Sequence, residues 1–143
     1  MQIDLDDTIG ELTFVKELMP ESALVFLNIS GKTQLEKPIE GTCKHMWSEV
    51  QPWIMFTCSE DAEVYAVEDG TVTAVSPLSD GLTGILIDHG SGCESVYALL
   101  ATSSVENGDI VGRGQKIGSA KDNLYFEWRI NGASSDPTEA MGL

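Results

Sequence analysis

The chain has 143 residues and a net charge of −15, from 23 acidic and 8 basic side chains. That length makes one domain with a core, and 42% hydrophobic with 22% charged residues is ordinary for a soluble globular protein. The negative field argues against nucleic acid and anionic lipid surfaces as partners and is compatible with a basic protein, while no apolar run approaches the roughly 20 residues of a membrane helix.

The opening stretch has no basic n-region followed by an apolar h-region, so no signal peptide is read there. In "DDTIGELTFVKELMP", Ile9, Leu12, Val15 and Leu18 fall near helical spacing behind acidic residues. That pattern predicts a short helix over about 7–19. "SALVFLNIS" (Ser22 to Ser30) predicts a strand, and "GKTQLEKP" a loop. Residues 1–36 thus read as an N-terminal helix-and-strand appendage, and residues 37–143 as a separate β-domain.

From Lys37 onward short strands alternate with glycine turns, and no helix is predicted. "EVYAV" and "TVTAVS" flank "EDG", a hairpin signal, and "TGILIDHGSGCESVYALL" reads as a second hairpin around "HGSG". "VENGDIVGRGQKIGSA" has the glycine spacing of tight corners, and its first half weakly repeats "VEDGTVTAV". In "NLYFEWRI", Leu124, Phe126, Trp128 and Ile130 alternate with Asn123, Tyr125, Glu127 and Arg129, so the two sets face opposite ways on a strand. The expected fold is mainly β, a small antiparallel sandwich or barrel-like hybrid of short strands with the short N-terminal helix. Cys43, Cys58 and Cys93 form no CxxC pair, which leaves open one bridge plus a free thiol, or three buried thiols. Trp47 and Trp53 flank "SEVQP" and read either as packing or as a contact surface.

The order of four motifs is distinctive: "YAVEDGTVTAV", "ILIDHGSGCESVYALL", "VENGDIVGRGQKIG" and "LYFEWRINGASSDP". Together, over roughly residues 37–140, they resemble the LytM/lysostaphin-like zinc endopeptidase domain. The resemblance implies an H-x-x-x-D pair and an H-L-H strand that supply two histidines and an aspartate to zinc, with further histidines to orient water. Counted back without gaps from "DGTV", the first pair falls on Gln51 and Met55. The histidine of "Y-x-H-L" falls on Leu99, and those of "H-L-H" fall on Asn123 and Tyr125. "IGSAKDNLYFE" also shortens the glycine-rich segment that precedes H-L-H in the family.

No expected ligand survives, so zinc, the family's cofactor, is not expected to bind and no catalytic residue is assigned. The resemblance is therefore to catalytically inactive members, the stage II sporulation protein Q type among them. It implies a cell-envelope adaptor, in cell-wall remodelling, division or sporulation, outside the cytoplasm. Gln51, Met55, Leu99, Asn123, Tyr125 and Glu127 would form its binding groove, and the partner would be another envelope protein. The alternative is a non-hydrolytic peptidoglycan-binding module that holds a peptide stem; an active hydrolase with an atypical site ranks below it. A lipoyl-type carrier is disfavoured because no lysine lies between Val72 and Ile110. His89 reads as a turn histidine capping local carbonyls, with a metal cluster of His89, Cys93 and Asp88 as the alternative.

Overall fold

The computed structural model describes residues 34–143. The helix over 7–19 and the strand Ser22–Ser30 lie outside the described residues. The remainder forms nine strands: β1 (Thr42–His45), β2 (Ile54–Thr57), β3 (Ala62–Tyr65), β4 (Gly70–Pro77), β5 (Thr83–Gly90), β6 (Cys93–Ser103), β7 (Ile110–Val111), β8 (Lys116–Ile130) and β9 (Ala133–Ser135). They make one open antiparallel sheet in the order β1-β2-β8-β6-β5-β4-β7, with β3 and β9 also pairing with β8. Among the described residues no helix is long and apolar enough to cross a membrane.

The β8 strand organises the sheet. Its first half pairs with β3 and its second half with β2, while β6 runs along both. Between the halves the register jumps from Leu100 opposite Ala120 to Ala98 opposite Tyr125. Alternation then does what the sequence predicts: Leu124 and Phe126 are fully buried, and Trp128 nearly so. They join Ile54, Phe56, Ile85, Ile87 and Tyr97 in the core, with Tyr97 edge-on to Phe126 at 5.4 Å. Ile130, at the end of the strand, is exposed.

The "HGSG" hairpin forms as expected. Gly90 pairs with Cys93 across Ser91 (φ 56) and Gly92 (φ 83), a turn with both central residues left-handed that matches the strand twist. The hairpin expected around "EDG" does not form. Instead β3 pairs with β8, and β4 pairs with β5 and β7. The reason lies in Ala66 and Val67, both fully buried: they carry the turn inward, where the Val67 N–H bonds the Tyr97 hydroxyl at 3.0 Å. The absence of helix after Lys37 is also corrected. A single turn, α1 (Thr138–Met141), follows Pro137, opened by Asp136 accepting the Thr138 N–H at 2.9 Å and closed by Gly142 at φ 73. The two similar segments lie side by side, Gly70 opposite Val111 and Thr71 opposite Ile110.

Gly118 is where sheet closeness demands glycine. It pairs with Val64 on one side and Ser103 on the other, and a Cβ there would overlap the Thr102 carbonyl oxygen. Because backbone, not a flexible side chain, must give way, Gly118→Ala is expected to cost about 2 kcal/mol. A lower urea midpoint with unchanged slope would show it; an unchanged midpoint would refute the close packing.

Candidate functional site

One face of β8 carries Asn123, Tyr125, Glu127 and Arg129. Register places Met55 opposite Tyr125 and Thr57 opposite Asn123 on one side, with Val96 opposite Glu127 and Glu94 opposite Arg129 on the other. Met55, Asn123, Tyr125 and Glu127 are thus brought together. Gln51 is exposed in the β1–β2 loop, and it joins the group indirectly. Its carbonyl accepts the Trp53 N–H at 2.8 Å and lies 3.3 Å from His45 Nε2. The His45 ring is tilted against Trp53 at 5.6 Å, and Trp53 stacks on Tyr125 at 5.7 Å and 29°. Leu99 sits at the register break between Ala98 and Leu100, half-buried at φ 71.

The polar part of the face is closed on itself. Glu127, 9% exposed, accepts the Tyr125 hydroxyl at 3.1 Å and Arg129 Nη2 at 3.2 Å through Oε1. Arg129 Nε meets its other oxygen at 3.2 Å, a two-pronged ion pair. Burial, followed by the charge and hydrogen bond of Glu127, pushes the Tyr125 phenol up to about 12. The hydrogen bond to Glu127 holds the Arg129 guanidinium above its ordinary value. Asn123 Nδ2 reaches Asp122 at 3.2 Å, and its Oδ1 is buried with no hydrogen-bond partner.

This donor set does not suit zinc. Glutamine, methionine and leucine offer neither imidazole nor carboxylate, the tyrosine is held protonated, and the one carboxylate is spent on Arg129. Among the described residues no three His, Cys, Asp or Glu side chains come together in a way that would hold a metal, so the His89, Cys93 and Asp88 grouping does not form one. His89 instead lies buried on β5 and bonds the Asp69 carbonyl at 2.7 Å, so it caps a carbonyl 20 residues away rather than the local carbonyls of its own turn. The three cysteines are free thiols; only Cys93 is buried.

Sequence reasoning missed the strap over this face. Trp47 Nε1 donates to Ser134 Oγ at 3.1 Å, and Ser134 donates to the Pro52 carbonyl at 2.6 Å. One hydroxyl on β9 therefore holds both ends of the β1–β2 loop. Inside the loop the Ser48 N–H bonds the Gln51 carbonyl at 3.1 Å, and Ser48 Oγ accepts the Gln51 N–H at 3.0 Å. At its apex Val50 is 90% exposed, and Met46 is 45% exposed. The available signal was an aliphatic residue between two tryptophans in a polar loop.

The sequence profile of peptidase family M23 matches residues 51–137. The murein hydrolase activator EnvC of Escherichia coli (strain K12) is 30% identical over 122 residues, covering 73% of this chain and 28% of that protein. Stage II sporulation protein Q of Bacillus subtilis (strain 168) is 34% identical over 93 residues, covering 57% of this chain and 32% of that protein. The chain thus spans less than a third of either relative. In the solved SpoIIQ–SpoIIIAH pore-forming complex, a chain 20% identical superposes with a TM-score of 0.67, over 76% of this chain and 90% of that one.

Proposed function

We infer that this chain, which belongs to peptidase family M23, is a non-catalytic form of that fold which works by binding another protein of the cell envelope. The observation that carries the reading is the Met55–Tyr125 cross-strand pair, with Trp53 stacked on Tyr125. Side chains without metal affinity stand cross-strand where the resemblance puts ligands, and an indole lies against one of them. The relatives support the role: one is named an activator of murein hydrolases, and SpoIIQ is solved in complex with SpoIIIAH.

The surface offered to a partner is the strap and the face beneath it. Val50 and Met46 project from a loop tied down at both ends, so little ordering entropy remains to be lost on contact. The domain limits of 1–36 and 37–143, an extracytoplasmic location, and a role in wall remodelling, division or sporulation belong to the same proposal.

Elemental analysis of unchelated protein, with digestion and pelleting of purified sacculi, tests it. The expected result is no stoichiometric zinc, no soluble muropeptide released with or without EDTA, and the protein left in the supernatant. Co-pelleting without digestion would replace the adaptor by the peptidoglycan-binding module. EDTA-sensitive release of muropeptides would overturn both.

A further inference from the structure

The chain holds two Asn-Gly pairs, Asn107–Gly108 and Asn131–Gly132, and both lie exposed in turns. Glycine after asparagine matters chemically. With no Cβ in the way, the backbone nitrogen that follows can close on the side-chain amide carbon. A C–N bond forms, the bond to the side-chain nitrogen breaks, and ammonia leaves a five-membered succinimide. Water then opens the ring at either carbonyl. One opening gives aspartate. The other gives an iso-aspartyl linkage, in which the main chain runs through the former side chain and is one carbon longer.

The two pairs differ in what holds the attacking nitrogen. The Gly108 N–H bonds the Val72 carbonyl at 2.7 Å, so that bond must break before the ring can close. Among the described residues the Gly132 N–H bonds no acceptor. The space beside Gly132 is open as well, since a Cβ there would meet nothing within 4 Å. Asn131 (φ 52) and Gly132 (φ 82) are the two left-handed residues of the β8–β9 hairpin.

We propose that Asn131 is a site of spontaneous deamidation, and that its iso-aspartyl form unties the strap. A two-residue turn with both residues left-handed fixes the register of a hairpin. Here it sets Ile130 opposite Ala133 and Arg129 opposite Ser134. Ser134, two residues past the turn, accepts Trp47 Nε1 at 3.1 Å and donates to the Pro52 carbonyl at 2.6 Å. An extra main-chain carbon in the turn breaks the match between its length and that register. Ser134 then moves along β8, and one hydroxyl no longer reaches both ends of the β1–β2 loop.

A second contact goes with it. The Asn131 N–H bonds the Gly92 carbonyl at 2.7 Å, and Oδ1 lies against Gly92, where a Cβ would overlap it. The β8–β9 turn is thereby seated on the β5–β6 turn, and rerouting the main chain through the side chain unseats it. The two products of ring opening separate charge from chain length. Aspartate adds a carboxylate and leaves the main chain as it was. The iso-aspartyl form adds the carboxylate and the extra carbon, so it alone should shift β9.

The test ages the folded chain in mildly alkaline buffer, which favours loss of the proton from the attacking nitrogen. Peptide mass spectrometry follows both Asn-Gly pairs. Asn131 should convert about fivefold faster than Asn107, whose glycine nitrogen must first give up its hydrogen bond. Hydrogen exchange of the Trp47 indole proton then reads the tether. It should run about tenfold or more faster in the iso-aspartyl fraction than in fresh protein. Freshly purified Asn131→Asp should keep the parent rate, and Ser134→Ala marks the untied limit. The proposal is overturned if Asn131 stays intact or converts no faster than Asn107. It is also overturned if the iso-aspartyl fraction keeps Trp47 protected, or if fresh Asn131→Asp loses that protection equally.

Discussion

Arg129→Ala should cost about 3 kcal/mol of folding stability at neutral pH, far more than an ordinary surface ion pair is worth. The asymmetry comes from burial. Arg129 is 36% exposed at its side chain, whereas Glu127 is 11% exposed there. Removing the guanidinium strands a carboxylate whose other contact on this face is the Tyr125 hydroxyl at 3.1 Å. The low end of the range for a broken buried pair applies because water reaches part of the arginine site. A second variant makes the prediction sharp. Glu127→Gln combined with Arg129→Ala should recover most of the loss, because no buried charge remains. Urea titrations of the two single variants, the double variant and the parent at neutral pH give the cycle. Additive single and double variants would mean that the pair is not coupled and that the face is wetter than its geometry indicates.

What could be read in advance divides by the range of the interaction. The Ser91–Gly92 turn and the alternation of Leu124, Phe126 and Trp128 are local patterns, and they form as expected. The β3–β4 hairpin failed because the turn signal "EDG" says nothing about Val67, whose burial depends on Tyr97 thirty residues away. The same limit hid the strap. Ser134 meets Trp47 and Pro52 across separations of 87 and 82 residues, and nothing near a serine in "NGASSDP" announces that. Asn123, Tyr125, Glu127 and Met55 could be placed on one face from strand period and motif order alone. Gln51 and Leu99 could not, because a loop and a register break carry them.

Restoring three residues should turn this face into a zinc site. Gln51→His, Met55→Asp and Tyr125→His together put two imidazoles and a carboxylate where the family resemblance sets its ligands. Two of the three positions are already cross-strand neighbours, Met55 opposite Tyr125, at the spacing from which short side chains converge. Gln51 is the demanding one, since it reaches the face from the loop that Ser134 holds down. With that tether intact, uptake of about one zinc per chain at micromolar affinity or tighter is expected, equivalent to about 8 kcal/mol. Excess zinc at about 100 times the dissociation constant should raise stability by about 2.7 kcal/mol. Tyr125→His alone should bind no zinc stoichiometrically. Hydrolysis is not expected from the triple variant, because Leu99 and Asn123 still supply no imidazole to handle water. Adding Ser134→Ala should weaken zinc by about tenfold or more if the tether positions residue 51, an effect that a purely structural serine would not produce. A folded triple variant that ignores zinc would place the lost histidine elsewhere in the β1–β2 loop, with His45, its ring tilted against Trp53, as the next position to build from.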